Sequence, residues 1–258
     1  MSVHGAPAGL LQDFQAPGDK KNGHIGVVLV HGFTGSPAAM RPWAEHLNAR
    51  GYSVRVPLLP GHGTKPEDLN EVKWPAWPTA VKNEIIELQK HCSQIFVAGL
   101  SMGGGTTLLV ASELGDQLSG IILVNPMIHV RGISPTLAFA ISRIIKFGKS
   151  VGGDIKRKGA TEYSYDKLPY RGIHQLLMML KLTRGLLPSV KVPMQLFHSV
   201  DDHTLPVSNT EIIMREIGSS SKSRIELLNS FHVATLDHDN EMIFTNSVTF
   251  IESLSHVD

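Results

Sequence analysis

The chain has 258 residues, of which 42% are hydrophobic and 18% are charged. This composition is too apolar for an intrinsically disordered chain, and the length suits one domain with its own hydrophobic core. The 24 Lys and Arg residues nearly balance the 23 Asp and Glu residues, for a formal net charge of +1. The densest basic run, residues 156–158, is typical of a solvated surface, so a nucleic-acid-binding surface is not expected.

The cysteine content and the apolar runs restrict the chain further. A single cysteine, Cys92, excludes an internal disulfide framework and a multi-thiolate metal site. Residues 1–24 carry prolines and charges but no apolar stretch, which argues against a signal peptide. No apolar run reaches the length of about 18 residues that a membrane-spanning helix needs. We therefore expect a soluble protein in the cytoplasm.

Strands and helices are predicted to alternate along the chain. Short apolar runs rich in β-branched residues predict strands buried on both faces, and one alternating run predicts an edge strand. In chain order, the predicted strands are residues 25–30, 53–58, 94–98, 120–124, 193–198 and the alternating 224–228. The predicted helices are one between Ser36 and Gly51 and four more over residues 78–91, 103–114, 208–217 and 240–254. This alternation predicts an α/β fold, with a mostly parallel sheet and helices on both faces.

Residues 127–191 interrupt this alternation, because they contain no convincing strand. A gap of this length is expected to hold inserted helices. One predicted helix follows Ser134 and extends as far as Phe147, and a second covers residues 172–183. Both are apolar nearly all round, so both are expected to be buried. They either pack on the main domain or line an apolar pocket as a cap.

The segment Gly99-Leu100-Ser101-Met102-Gly103 lies between a predicted strand and a predicted helix. It has the G-x-S-x-G pattern of a nucleophile elbow, in which a serine occupies a strained strand-to-helix turn. The pattern alone is weak, but its strand-and-helix context supports Ser101 as a nucleophile.

Stabilisation of an oxyanion requires at least two hydrogen-bond donors. The residue after the nucleophile, Met102, supplies one backbone N–H. The loop His31-Gly32-Phe33-Thr34-Gly35 follows the first predicted buried strand, and Phe33 is its natural second donor.

A serine nucleophile also needs a base and a carboxylate that orients the base, and in this arrangement they follow the serine in the order Asp, His. Asp201 and Asp202 both follow the predicted strand 193–198. His232 follows the last predicted strand. The residues therefore indicate a catalytic triad of Ser101 and His232 with one aspartate. Either Asp201 or Asp202 could be that acid.

With these motifs, the chain resembles the α/β-hydrolase family, and within it the bacterial carboxylesterases and monoacylglycerol lipases. The most specific matches are residues 29–36, 99–104, 202–206 and 231–237. The resemblance implies an α/β-hydrolase core over residues 1–126 and 192–258, and a small helical cap over 127–191 inserted after the sixth core strand. The family pattern places the acid three residues before a Val/Leu-Pro pair, which implies Asp202. It also implies Phe33 and Met102 as the oxyanion hole.

The resemblance also implies a substrate site. In monoacylglycerol lipases of this group a cap glutamate binds the glycerol hydroxyls, and Glu162 is the corresponding residue. A surface glutamate with no such role is the alternative. Apolar cap residues, with Ile128, Phe139 and Ile141 as candidates, are expected to bind an acyl chain.

The sequence therefore predicts a serine hydrolase that cleaves carboxylic esters of medium-to-long acyl chains, without a cofactor or a metal. The alternatives are a thioesterase or C–C hydrolase with the same triad, or a non-catalytic protein that binds an apolar ligand. The expected partner is a small ester, with transient contact between the cap and a lipid surface. The oligomeric state is left open.

Overall fold

The computed structural model describes residues 3–150 and 152–255, which contain nine strands. Seven strands form one sheet in the order β1-β3-β2-β4-β5-β8-β9, and β6 and β7 form a hairpin outside it. The strands are β1 (Phe14–Ala16), β2 (Ile25–Val30), β3 (Ser53–Val56), β4 (Gln94–Leu100), β5 (Gly120–Val124), β6 (Phe147–Lys149), β7 (Lys167–Pro169), β8 (Met194–Ser199) and β9 (Lys222–Leu227).

All neighbours in the large sheet are parallel except β1, which pairs antiparallel with β3 at one edge. The predicted mostly parallel sheet is confirmed. Strand β1 was not predicted, because its three residues are too few for a periodic pattern. Because the other strands are parallel, the loops after β2, β4, β8 and β9 all lie at the same edge of the sheet.

The same described ranges contain eight α-helices. They are α1 (Arg41–Asn48), α2 (Pro66–Leu69), α3 (Ala76–Gln89), α4 (Met102–Leu114), α5 (Pro135–Ser142), α6 (Tyr170–Leu186), α7 (Ser208–Glu216) and α8 (Asn240–Leu254). Helices α1 and α8 pack on one face of the sheet, and α3, α4, α6 and α7 pack on the other. The sheet therefore has a hydrophobic core on each face, and alternate residues of a central strand belong to the two cores. In β2, Val27 and Leu29 face α1 and α8, whereas Val28 and Val30 face the opposite helices.

None of the helices in the described ranges is both long and apolar enough to cross a membrane.

The segment between β5 and β8 differs from the prediction in three ways. It follows the fifth strand of the sheet in chain order, not the sixth. It contains the two-stranded hairpin β6–β7, although no strand was expected there. Helix α5 ends at Ser142, so Phe147 belongs to a strand and not to an extended helix.

The expectation that both inserted helices are buried holds for one face of α6 but is wrong for α5. Helix α5 buries only Ala138 and Ser142, which lie four residues apart on one face. Leu137 and Phe139 point outward, and Phe139 is 47% exposed, whereas Ile141 is partly buried. The narrow buried face follows from the small side chains at positions 138 and 142, which let α5 pack closely against α6.

Candidate active site

Ser101 occupies the turn between β4 and α4 in a strained backbone conformation. Its φ of 57° and ψ of −119° lie in a region that residues other than glycine rarely adopt. The conformation is held by its neighbours: the Ser101 N–H donates to Val124 O at 3.0 Å, and the Ser101 carbonyl accepts from the N–H groups of Gly105 and Met127. Strain held in this way is typical of functional turns.

Close backbone packing around the turn explains the glycines of the motif. A Cβ atom at Gly99 would lie 2.4 Å from Gly103 O, and one at Gly103 would lie 2.1 Å from Val30 O. Neither position accepts a side chain without displacing the backbone. The two glycines therefore let the turn at Ser101 sit directly against the end of β2.

His232 and Asp202 form a buried hydrogen-bonded pair in the loops after β9 and β8. His232 Nδ1 lies 2.8 Å from Asp202 Oδ2, and both side chains are almost fully buried. The other carboxylate oxygen of Asp202 accepts the backbone N–H groups of Thr204 and Leu205, each at 2.8 Å. An Nδ1–H that donates to Asp202 leaves Nε2 of His232 as the acceptor that a general base needs.

The two candidate acids differ in their surroundings. Burial raises the pKa of Asp202, but the hydrogen bonds from His232 and from the two backbone amides outweigh it, so the pKa is lowered overall. Asp202 therefore remains a carboxylate at neutral pH. Asp201 is 59% exposed and has a distant ion pair with Lys156, at 3.7 Å. The structure places Asp202, not Asp201, against His232.

The two predicted oxyanion donors are Met102, which directly follows Ser101, and Phe33, which lines the same cavity as Ser101. Met102 is the first residue of α4, so its N–H has no partner within the helix. The N–H of Phe33, in the loop after β2, likewise donates to no protein acceptor among the described residues. The N-terminus of α4 adds a positive partial charge at the same point. Their placement fits the expected role, which stays a prediction.

His31 holds the Phe33 loop in place. Its ring bridges two backbone groups: Nδ1 lies 2.9 Å from Gly32 O, and Nε2 accepts the N–H of Leu59 at 3.1 Å. Burial lowers the pKa of His31 to about 4, although its bond to Gly32 raises it in part. His31 is therefore neutral at pH 7, with its proton on Nδ1, and fixes the peptide that precedes Phe33.

A cavity of about 300 Å³ opens at Ser101 beneath the inserted segment. Its wall is mostly apolar, and Ser101, His232, Glu162 and Thr204 contribute polar side chains. The rest of the lining is Gly32, Phe33, Leu100, Met127, Val130, Ile133, Gly152, Leu168, Tyr170, Ile173, Leu176 and Leu205. An apolar pocket with a few polar groups at one end suits a ligand with an acyl chain and a polar head.

Glu162 is the predicted substrate residue that the structure places in this cavity. Its side chain is buried, and Oε2 accepts the N–H of Gly153 at 2.8 Å. Burial raises the pKa of Glu162, although the Gly153 hydrogen bond and nearby His232 lower it in part. The alternative of an exposed surface glutamate is therefore wrong.

The other three predicted substrate residues do not line the cavity, and the prediction is wrong for them. Ile128 lies in the hydrophobic core, fixed by a hydrogen bond from its N–H to Asn209. Phe139 and Ile141 belong to α5, which buries a different face, and the Phe139 ring packs against His174 instead. Met127, Val130 and Ile133 of the inserted segment line the cavity in their place.

Two polar residues at the site were missed in the sequence. Asn125 donates to the carbonyl of His232 at 2.8 Å, and its side-chain oxygen accepts the N–H of Ser199. Asp154 accepts the backbone N–H groups of both His203 and His232. A sequence signal for Asp154 exists, because it is the only acidic residue between Asp116 and Glu162.

The sheet topology and the strained serine turn at the carboxyl end of β4 define the class of this protein as an α/β-hydrolase. The model of the family described as "Serine aminopeptidase, S33" matches residues 23–239. The chain belongs to this family.

Three relatives illustrate the similarity. The chain is 38% identical to the thermostable monoacylglycerol lipase of Bacillus sp. (strain H-257) over 89% of this chain and 91% of that protein. It is 25% identical to a carboxylesterase of Bacillus subtilis (strain 168) over 91% of this chain and 95% of the relative. A solved structure from work on LipS and LipT, two metagenome-derived lipolytic enzymes, superposes with a TM-score of 0.90 at 33% identity, covering 95% of this chain and 98% of that one.

Proposed function

We propose that the protein is a serine hydrolase that cleaves the ester bond of monoacylglycerols through an acyl-enzyme. The observation that carries the proposal is that the strained Ser101 and His232, which is paired with the buried Asp202, border one apolar cavity. The similarity to lipolytic enzymes over most of the chain supports the same conclusion.

The geometry supports the following sequence of steps. Nε2 of His232 accepts the Ser101 proton as Oγ attacks the ester carbonyl carbon. Asp202 keeps the Nδ1–H tautomer and stabilises the imidazolium. The N–H groups of Phe33 and Met102 hold the oxyanion, and His232 then protonates the departing alcohol. Water, activated by His232, repeats the attack and releases the fatty acid.

The cavity lining supports an acyl chain as one half of the substrate. Its apolar side chains come from the core, such as Leu100 and Leu205, and from the inserted segment, such as Ile133, Leu168 and Ile173. Each methylene that leaves water for such a wall gains about 0.8 kcal/mol. Medium and longer chains should therefore bind better than acetyl groups.

Glu162 supports a polar alcohol as the other half. It is a buried carboxyl group on a largely apolar wall, and it lines the same cavity as Ser101. A buried carboxyl group is stabilised by further hydrogen-bond donors besides the Gly153 N–H, and the free hydroxyls of a glycerol head would supply them. A simple alkyl alcohol would not.

The test compares two esters of one acyl chain, monododecanoylglycerol and ethyl dodecanoate, in the wild type and in Glu162→Ala. We expect the ratio of their kcat/KM values to fall by about 10-fold in the variant, because a charge-assisted hydrogen bond contributes about 1.5–3 kcal/mol. The alkyl ester is the internal control, since general damage to the site lowers both values. An unchanged ratio would contradict the role of Glu162 in glycerol recognition. Faster turnover of a dodecanoyl thioester than of either ester would show that thioesters, and not monoacylglycerols, are the substrate class.

We further propose that the inserted segment contacts anionic lipid surfaces. Its outer face exposes the large apolar side chains of Leu137, Phe139, Ile144, Ile145, Met178 and Leu182, and Ile144 is 86% exposed. Residues 127–153 and 170–191 contain lysines and arginines but no acidic residue. Exposed apolar groups on stretches that carry cations but no acidic residue fit the interface of a negatively charged membrane. The cytoplasmic location expected from the sequence stays a prediction.

Co-sedimentation with vesicles checks this contact. Phosphatidylcholine vesicles that contain phosphatidylglycerol should bind the protein more tightly than phosphatidylcholine alone, and Ile144→Glu should weaken that binding. Ile86→Glu is the matched control, because Ile86 is an exposed isoleucine on α3, away from the inserted segment. Equal effects of the two variants would contradict the proposal.

A further inference from the structure

Residues 154–157 of the inserted segment, here called the cap strap, run across the two loops that carry Asp202 and His232. The strap has no regular secondary structure. It is fastened to both loops by hydrogen bonds to backbone groups, through Asp154 at its start and Asp237 beneath its end.

Asp154 connects the acid loop with the base loop. Its Oδ2 accepts the N–H of His203 and the N–H of His232, each at 3.2 Å. Its Oδ1 lies 3.0 Å from Nδ1 of the His203 ring, and its main-chain oxygen accepts the N–H of Val233 at 3.0 Å. One residue of the inserted segment therefore holds the backbone of His232 itself and of the residue next to Asp202.

Asp237 fixes the other end of the strap. Its side chain is fully buried, and the carboxylate accepts the N–H groups of Lys156 and Arg157 at 2.7 and 2.9 Å. The same carboxylate accepts the N–H groups of Phe231 and His238. A buried carboxylate is stable only when hydrogen bonds replace its water, so the strap and the His232 loop stabilise Asp237 together.

These contacts have a mechanical consequence. The loops after β8 and β9 meet at the triad through the hydrogen bond between His232 and Asp202. Ser199, at the end of β8, also donates to the Phe231 carbonyl. Asp154 adds a connection of another kind, because it accepts a backbone N–H group from each loop. Without it, the base loop could shift relative to the acid loop, and a displacement of about 1 Å at a reacting group can lower the rate about 100-fold.

We propose that Asp154 is a positioning residue that sets the place of the His232 imidazole, so that the triad is assembled only while the cap strap is docked. This inference rests on the proposed serine hydrolase function.

The experiment compares Asp154→Ala with Asp201→Ala. Asp201 is the matched control, because its carboxylate also joins the strap to the acid loop, through Lys156, but it is exposed and accepts no backbone N–H among the described residues. For a short-chain nitrophenyl ester, we expect Asp154→Ala to lower kcat by about 10- to 100-fold. KM should stay nearly unchanged, because Asp154 does not line the cavity. Asp201→Ala should resemble the wild type in both constants.

Amide hydrogen exchange supplies a readout that does not depend on activity. The N–H groups of His203 and His232 should exchange faster in Asp154→Ala than in the wild type or in Asp201→Ala. If Asp154→Ala does not fold, Asp154→Val, which keeps a branched side chain but accepts no hydrogen bond, takes its place in both measurements.

The outcomes distinguish a failure of the proposed hydrolase function from a failure of the proposed role of Asp154. A wild type that cleaves no ester would contradict the proposed function, while hydrogen exchange would still test the strap. Wild-type kcat together with unchanged exchange at His203 and His232 would overturn the role of Asp154. A loss of kcat matched by an equal rise in KM would show that Asp154 serves substrate binding instead, and would also overturn it.

Discussion

Ser101→Ala is expected to lower kcat for ester hydrolysis by about 10⁶-fold, in effect to the detection limit. The oxyanion donors and the His232–Asp202 pair have no covalent chemistry of their own, so the rate depends on the hydroxyl that they activate. The loss should affect kcat far more than KM, because the apolar wall that binds the acyl chain stays in place. Steady-state kinetics with a medium-chain nitrophenyl ester measures both constants.

The matched control for this variant is Ser112→Ala. Ser112 lies in the same helix, α4, and donates only to the Leu109 carbonyl, so its replacement should leave kcat unchanged. Labelling by a fluorophosphonate should be lost in Ser101→Ala and kept in Ser112→Ala. If folded Ser101→Ala kept one-tenth of the wild-type kcat, Ser101 could not be the nucleophile.

The second large effect is expected for Asp202→Asn, which should lower kcat by about 10⁴-fold. The amide oxygen of the new asparagine can still accept the backbone N–H groups of Thr204 and Leu205. In that orientation the amide nitrogen points towards Nδ1 of His232. A donor at that position favours the imidazole tautomer that carries its proton on Nε2, and this tautomer cannot accept the proton of Ser101.

Asp201→Asn is the matched control for Asp202→Asn, because it makes the same chemical change one residue away. Asp201 is exposed and paired with Lys156, so its replacement should leave kcat near the wild-type value. A benign Asp202→Asn together with a crippling Asp201→Asn would show that the acid has been assigned to the wrong aspartate.

Several parts of the fold could be read from the sequence because short-range patterns carry them. The buried strands β2, β4, β5 and β8 are continuous apolar runs, and the structure places them within two residues of the predicted bounds. The short strands β1, β6 and β7 have three residues each, too few for a periodic pattern. Their pairing partners, and not their composition, make them strands.

The inserted segment was predicted least well, for a related reason. Apolar composition indicates that a helix can be buried but not which of its faces is buried. Ala138 and Ser142 pack against α6, which turns Phe139 outward. The cavity wall is instead formed by residues such as Val130 and Ile133, in a stretch without a regular pattern.

The sequence by itself determined the strand–helix alternation and the serine turn with its required glycines, together with the order of Ser101, an aspartate and His232 along the chain. Each of these was read from a strand or helix and the residues directly next to it, where backbone geometry and side-chain periodicity act directly. Only the tertiary structure decided that Glu162 is buried and lines the cavity at Ser101, that Phe139 does not line it, and that Asp154 binds the backbone of His232. Those contacts join residues tens of positions apart, and they exist because the parallel sheet brings its loops and the inserted segment to one edge.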